Sequence, residues 1–304
     1  MKIVSLLPSA TEIVFALGLG DQLEGVTYEC DYPAEARSKP VVADSALPQD
    51  RPLSAGQVDA IVRDLMDRQE PVQVLDRDLI RKIQPDLILA QDLCRVCAIP
   101  SGQILDALKD LGSDADVLSL DPTTLDQVLE SILRVGRATG AETRAENLCR
   151  DLRSRIDRVK RTAFPLPSIS TLGLEWSDPP FAAGHWIPGM IDLAGGRSVV
   201  STAGEPSVQV TWHEIATAAP EVIAFMPCGY YLEDAELEVE RLYELPDFAG
   251  TPAARAGAVF ATDASSYFSR PGPRLVDGLE ILAWAIHPEA FPEPGTDRVA
   301  RVRG

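Results

Sequence analysis

The sequence predicts an α/β fold of two lobes, each built on a parallel sheet, joined by one long helix. Short apolar strand patterns alternate with helical patterns, which is typical of parallel sheets. A segment rich in Arg, Glu, Leu and Ala interrupts this alternation at residues 124–163, and the alternation then resumes. The 304 residues, 45% of them hydrophobic, are enough for two domains with separate cores.

Five apolar segments predict strands that lead directly into reactive, polar or aromatic residues. They are Ile3–Leu7, Leu23–Thr27, Leu87–Ala90, Ser170–Leu174 and Val222–Phe225. Open parallel sheets bind ligands beyond the carboxyl ends of their strands. The residues that follow these strands are therefore the predicted site.

Helical patterns fill the spaces between the strands. The first third predicts helices at Thr11–Leu17, Ala55–Arg68, Asp78–Ile83 and Ser101–Asp110. Gly136 and Gly140 are expected to divide the segment 124–163 into two helices. The second of these has one apolar stripe and predicts a connector roughly 30–35 Å long. The predicted division is an N-terminal lobe at 1–121, a helical connector at 122–165 and a C-terminal lobe at 166–304.

Two segments, one in each half of the sequence, have the same pattern. Residues 79–89 and 214–224 each predict a short helix, a proline followed by an acid, and a buried strand. Many helix-to-strand connections have the same pattern. The similarity of these two segments is therefore explained equally well by an internal repeat and by a common structural motif.

Charge and hydropathy exclude some classes of function and predict a compartment. A net charge of −18 argues against nucleic-acid binding, which needs a basic patch. Pro8 and Glu12 interrupt the apolar N-terminal run, so it predicts a strand and a helix rather than a signal peptide. The sequence therefore predicts a cytoplasmic protein, or a periplasmic one if the true start lies upstream. An odd number of cysteines, five, agrees with a reducing compartment.

Several motifs resemble one family of binding proteins. Residues 5–13, 17–20 and 83–88 are similar to the first strand and helix, and to a recurring strand entry, of the helical-backbone (class III) substrate-binding proteins of ABC-type transporters. Residues 28–33 and 267–274 resemble the cobalamin-binding branch of that family. The resemblance extends from Lys2 to about Phe291.

The resemblance implies two Rossmann-like lobes with a ligand cleft between them. It implies non-catalytic binding of cobalamin or a related corrinoid, as a cytoplasmic carrier or sensor or as a transporter's binding component. Relatives also bind haem and metal chelates, so these stay open as ligands. In importing relatives one acid on each lobe docks onto a membrane permease, and Asp78 and Glu214 are at the corresponding positions.

Aromatic and polar residues near the strand ends are candidate ligand contacts. A corrin is a broad, mostly apolar disc with amide arms, which flat aromatic walls and a few hydrogen-bonding groups suit. Ordinary core positions explain some of these aromatic residues equally well. The candidates are Ser9, Tyr28, Glu29, Gln91, Glu175, Trp176, His185, Trp186, Tyr230, Tyr267, Phe268 and Arg270.

His185 and two arginines add specific chemistry. The imidazole of His185 is a suitable axial ligand for cobalt or iron, although a non-ligating histidine is the commoner case. Arg270 and Arg274 flank Pro271-Gly272-Pro273. A rigid backbone there can hold an arginine toward an anionic group, and ordinary pairing with surface acids is the alternative.

Three cysteines form a possible metal site. Cys94 and Cys97 have a spacing that metal and redox sites share, and Cys30 follows a strand that is expected to end at the same sheet edge. Their thiolates could hold zinc or iron, with Cys228 as a conceivable fourth ligand. Buried apolar cysteines are the alternative. Known catalytic motifs are not found in the sequence, but a metal- or redox-dependent enzyme that uses this cluster remains the rival hypothesis.

Overall fold

The computed structural model of the chain describes residues 1–48, 53–68, 70–92, 102, 104, 108 and 114–304. The chain divides into two compact units. The first unit comprises Met1–Pro122 and Leu129–Cys149, and the second comprises Thr123–Val128 and Arg150–Gly304.

The first unit is built on a six-stranded sheet in the order β4-β3-β2-β1-β5-β6. All neighbouring strands are parallel except β3 and β4. The strands are β1 (Ile3–Ser5), β2 (Leu23–Thr27), β3 (Val41–Ser45), β4 (Gln73–Leu75), β5 (Leu87–Ala90) and β6 (Asp116–Ser119). The described helices are α1 (Pro8–Ala16), α2 (Ala55–Asp67), α3 (Arg77–Ile83) and α4 (Leu125–Thr139), which begins in the second unit, with short 3-10 helices at Gly20–Gln22 and Ala34–Ser38.

The second unit is built on a seven-stranded sheet in the order β10-β8-β7-β11-β12-β13, with β9 also paired to β7. Its centre is parallel, and β8, β10 and β13 pair antiparallel. The strands are β7 (Ile169–Ser177), β8 (Pro180–Ala182), β9 (Gly196–Ser198), β10 (Val208–Gln209), β11 (Val222–Phe225), β12 (Val259–Thr262) and β13 (Val299–Val302). The helices are α5 (Glu142–Ala163), which begins in the first unit, α6 (Trp186–Leu193), α7 (Trp212–Ala218), α8 (Leu232–Leu242), α9 (Pro246–Ala249), α10 (Pro252–Arg255), α11 (Ala264–Tyr267) and α12 (Leu275–Ile286).

The prediction of two α/β lobes with parallel sheets is confirmed, and the structure adds antiparallel strands at the sheet edges. The five predicted strands and the helices α1 to α3 are present, although α1 begins earlier and β7 ends later than predicted. Most of the predicted helix at 101–110 lies outside the described residues. Among the described residues, none of the helices combines the length and apolar character that crossing a bilayer requires.

Gly136 does not separate two helices as the sequence predicted. It lies inside α4, and an added Cβ there would approach the Cβ of Ala145 on α5 to 2.5 Å. Gly140 separates α4 from α5, with a φ of +67° that favours glycine. One glycine therefore permits close packing of the two helices, while the other forms the break.

Strand β7 is longer than predicted, which changes the place of two candidate residues. Glu175 and Trp176 lie within the strand rather than beyond its end. The reason is a hairpin: Trp176 pairs with Phe181 and Ser177 with Pro180 of the antiparallel strand β8. Pairing with a neighbour that is close in sequence extends β7 beyond the parallel core.

Candidate functional site

Trp176 and Tyr230 form an aromatic pair at the carboxyl side of the second unit's sheet. Their ring centroids are 5.7 Å apart and the rings are inclined by 74°, an edge-to-face contact. The indole N–H of Trp176 donates to the carbonyl of Asp178 over 3.1 Å. Burial raises the pKa of Tyr230, and the charges of Glu238 and Asp234 raise it further. The phenol is therefore neutral, and the pair is a fixed apolar wall with one hydroxyl.

His185 precedes helix α6 in an uncommon backbone conformation. Its φ is +51°, which is strained for a residue other than glycine. Its ring centroid lies 5.7 Å from that of Trp186, and the indole N–H of Trp186 donates to the carbonyl of Phe268 over 2.9 Å. Trp186 and Phe268 are buried, so they contribute packing around the site.

The imidazole of His185 carries an unsatisfied atom. Its Nδ1 is buried and has no hydrogen-bond partner among the described residues. Such an atom costs about 1–3 kcal/mol. Burial lowers the pKa of His185, which favours the neutral imidazole that binds metals.

Tyr267 lies between two guanidinium groups. The carbon Cζ of Arg274 is 5.6 Å from the ring centroid, and that of Arg298 is 5.2 Å from it. Asp277 pairs with Arg298 at 3.6 Å and with Arg155 of α5 at 3.0 Å. Burial raises the pKa of Tyr267, although the two arginines oppose that shift. Arg270 is only 8% exposed. An anion could therefore contact its guanidinium from inside a site, but not from the open surface of the protein.

Glu175 is partly buried and has a defined partner. The hydroxyl of Ser207 donates to its carboxylate over a short distance. Burial raises the pKa of the Glu175 carboxyl, and the hydrogen bond from Ser207 opposes this. The carboxylate is thus already engaged by a hydrogen bond within the second unit.

The candidate residues of the first unit follow its strands β1, β2 and β5. Ser9, in the first turn of α1, and Gln91, after β5, are buried. Tyr28 is 38% exposed, and its N–H donates to the carbonyl of Ala43 over 3.0 Å. Glu29 is half-buried. The role of all the named contacts in binding stays a prediction.

The proposed cysteine cluster is only partly described. Cys30 is buried, and its Sγ lies 3.1 Å from Oγ1 of Thr11 and 3.3 Å from Oγ1 of Thr27. Cys94 and Cys97 lie outside the described residues. Cys228 is partly exposed after β11. Within the described part of the chain, His, Cys, Asp and Glu side chains do not form a group of three or more that could hold a metal. Zinc or iron at this cluster remains an untested prediction.

Asp78 and Glu214, the predicted docking acids, are both exposed. Asp78 pairs with Arg81 at 2.6 Å. The carboxylate of Glu214 accepts hydrogen bonds from the N–H and the hydroxyl of Thr211, at 2.7 and 2.8 Å. These bonds hold the pKa of Glu214 below its usual range.

The sequence interpretation missed two residues of this region, Ser207 and Arg298. Ser207 is 32 residues from its partner Glu175, and Arg298 lies near the C-terminus beside β13. Neither belongs to a motif or follows a predicted strand. Only the pairing of distant segments brings them to the site.

Comparison with known proteins gives consistent matches. The periplasmic binding protein family matches residues 3–266. The uncharacterized ABC transporter substrate-binding lipoprotein YvrC of Bacillus subtilis is 25% identical over 96% of this chain and 82% of its own. A vitamin B12-binding protein of Vibrio parahaemolyticus is 23% identical over 91% of this chain and 86% of its own. The crystal structure of a periplasmic haem-binding protein from Pseudomonas aeruginosa superposes with a TM-score of 0.71, at 23% identity, over 100% of this chain and 99% of its own.

These matches contradict the predicted cytoplasmic location. One similar protein is named a lipoprotein and another periplasmic. The prediction depended on the first residues of the chain, where Glu12 interrupts an apolar run. Glu12 is a buried residue of helix α1, so these residues are part of the folded unit. They carry no information about the compartment, and the cytoplasmic prediction was wrong.

Proposed function

The chain belongs to the periplasmic binding protein family, and we propose that it binds a corrinoid such as cobalamin through the aromatic residues at the carboxyl side of the second unit's sheet. Members of this family are substrate-binding proteins of ABC transporters. The chain is therefore a binding protein and not an enzyme.

The edge-to-face pair of Trp176 and Tyr230 is the observation that carries the proposal. The indole N–H of Trp176 already has a partner, so its ring is held in place before a ligand arrives. Trp186 is held in the same way by the carbonyl of Phe268, but it is buried and contributes packing rather than a ligand surface. Rigid aromatic surfaces bind a flat ligand with little loss of conformational entropy. The curated relative named for vitamin B12 supports a corrinoid as that ligand.

Haem is the second candidate, and different residues favour it. The neutral imidazole of His185, with its unsatisfied Nδ1, suits an iron centre. Arg274 and Arg298 beside Tyr267 suit the carboxylates that a haem carries. The two candidates differ in which group dominates binding: aromatic walls for the corrinoid, imidazole and guanidinium for the haem.

Titration of the purified chain with aquocobalamin and with haem, followed by calorimetry and visible absorbance, tests the proposal. We expect corrinoid binding, and we expect Trp176→Leu to weaken it about 10- to 100-fold because a central aromatic contact is lost. The matched control is Trp284→Leu. Trp284 also forms an edge-to-face pair, with Phe260 at 5.4 Å, but it lies near the far end of α12. This control should lower stability and leave affinity unchanged.

The competing outcomes are distinct. Absence of heat and of spectral change with aquocobalamin contradicts the corrinoid proposal. Haem binding that is lost in His185→Ala, but kept in Trp176→Leu, establishes the second candidate instead.

A further inference from the structure

The segment 204–207, which we name the strap, crosses the turn formed by Gly184 and His185. The N–H of His185 donates to the carbonyl of Glu205 over 2.6 Å, and the N–H of Gly204 donates to the carbonyl of His185 over 2.9 Å. The N–H of Gly184 donates to the hydroxyl of Ser207 over 3.1 Å. These three hydrogen bonds fasten both residues of the turn to the strap.

The fit between strap and turn is close enough to require glycine. A Cβ at Gly184 would overlap the backbone of Pro206 and Ser207. Backbone atoms cannot move aside as the end of a side chain can, so any larger residue would displace the strap. The same bonds hold His185 at a φ of +51°, which its own side chain does not favour.

Ser207 joins the strap to the core of the second unit. Its hydroxyl accepts from Gly184 and donates to the carboxylate of Glu175 on β7. A carboxylate that is partly withdrawn from water needs hydrogen bonds to compensate its desolvation. Glu175 is therefore placed to hold Ser207, and through it the strap.

We propose that Glu175 is a positioning residue for His185: it holds the strap through Ser207, and the strap fixes the backbone and the imidazole of His185. This inference rests on the proposed function, since His185 belongs to the candidate ligand site, and it deepens that function by removing Glu175 from the direct ligand contacts. The orientation of the imidazole against Trp186 then depends on a carboxylate that touches no ligand.

The full chain has three histidines, which makes the test specific. Labelling with ¹³C-histidine gives three imidazole signals, and His185→Ala assigns one of them to His185. We expect Ser207→Ala and Glu175→Leu to shift the His185 signal while those of His213 and His287 stay in place. Glu175→Gln keeps an acceptor for Ser207, so it should retain the native signal.

The matched control is Ser177→Ala. The hydroxyl of Ser177, at the end of β7, donates to the carboxylate of Glu238 over 2.6 Å, so this variant removes a similar bond on the same strand without reaching the strap. It should leave the His185 signal unchanged. A shift in this control equal to that of Ser207→Ala would overturn the proposal, since it would mean that any loss of stability moves the imidazole.

Affinity for aquocobalamin, measured by calorimetry, provides the second measurement. Ser207→Ala should weaken binding about tenfold and Glu175→Leu by no more than that, and their combination should be no worse than Ser207→Ala alone, because that variant already removes the hydroxyl that connects Glu175 to the turn. A direct ligand contact by Glu175 would instead give additive losses and an unmoved His185 signal, which overturns the inference. The signal is read without ligand, so a failure of the corrinoid proposal leaves this test intact.

Discussion

Residues 76–89 of the first unit and 211–224 of the second are built on one plan, yet they differ in their first helical turn. In each, a short helix ends in the left-handed conformation, at Gln84 with a φ of 53° and at Ala219 with a φ of 47°. A proline and an acid follow, and then a buried parallel strand, β5 or β11.

The acid after the proline has the same role in both units. The carboxylate of Asp86 accepts from the N–H of Lys2 over 2.7 Å, next to the start of β1. That of Glu221 accepts from the N–H and the hydroxyl of Ser170 in β7, at 3.1 and 2.8 Å. In both units the acid ties two neighbouring parallel strands together at their amino ends.

The first helical turns are different. Thr211 and Glu214 form a reciprocal capping box at the start of α7. Asp76 accepts from the N–H of Leu79 over 2.8 Å at the start of α3, but Leu79 cannot return the bond. Asp78 is one position earlier than the counterpart of Glu214. The two segments therefore share the proline and the acid that lead into the strand. Their first helical turns, which are exposed and carry the predicted docking acids, differ.

Removal of the N-cap side chain should give the largest difference in stability between the two segments. We expect Thr211→Ala to lower the free energy of unfolding by about 1–2 kcal/mol, because the Thr211 hydroxyl makes two hydrogen bonds, accepting from the N–H of Glu214 and donating to its carboxylate. Asp76→Ala should cost about 1 kcal/mol, since one bond is lost. Urea unfolding followed by far-UV circular dichroism measures both. Equal losses would contradict the difference between the two turns.

The acids at the strand entries should give a smaller effect that depends on pH. The hydrogen bonds from Ser170 lower the pKa of Glu221 below its usual 4.5. Its contribution is therefore present above pH 4.5 and lost as the pH falls through the lowered value. Glu221→Gln should remove this part of the acid destabilisation and cost less than about 1 kcal/mol at pH 7, because the group is exposed. Thermal unfolding between pH 7 and pH 3 measures it. An unchanged pH profile in the variant would show that the bonds to Ser170 do not act in solution.

The helix ends should give the smallest effect, with the opposite sign. Ala219→Gly and Gln84→Gly should each raise stability by about 0.5 kcal/mol, because glycine adopts positive φ without strain. Thermal unfolding midpoints measure the gain. Ala216→Gly, inside helix α7, is the matched control and should lower stability. A lower unfolding midpoint in both Ala219→Gly and Gln84→Gly would show that these two residues are not left-handed in solution.

Local patterns were sufficient to predict much of the fold. The strand β11 and the helix before it were predicted from apolar runs and a proline within a dozen residues. The same patterns placed Tyr230 and Tyr267 near strand ends. These features depend on periodicity and on backbone restrictions, which neighbouring residues determine among themselves.

Contacts between distant segments could not be predicted in this way. Glu175 has the sequence character of a ligand contact, since it is an acid after an apolar run. Its bond to Ser207 arises only when β10, which follows Ser207, pairs with β8. Similarly, the place of Arg298 over Tyr267 depends on β13 pairing with β12.

The sequence by itself determined the alternation of strands and helices, the two α/β halves, and the family. The tertiary structure alone decided that β7 extends through Trp176, that His185 has a positive φ, and that Glu175 accepts a hydrogen bond from Ser207. The physical reason is the range of the interactions. Periodicity and turn chemistry act over a few residues, whereas burial and hydrogen bonding of a side chain depend on which remote segment packs against it.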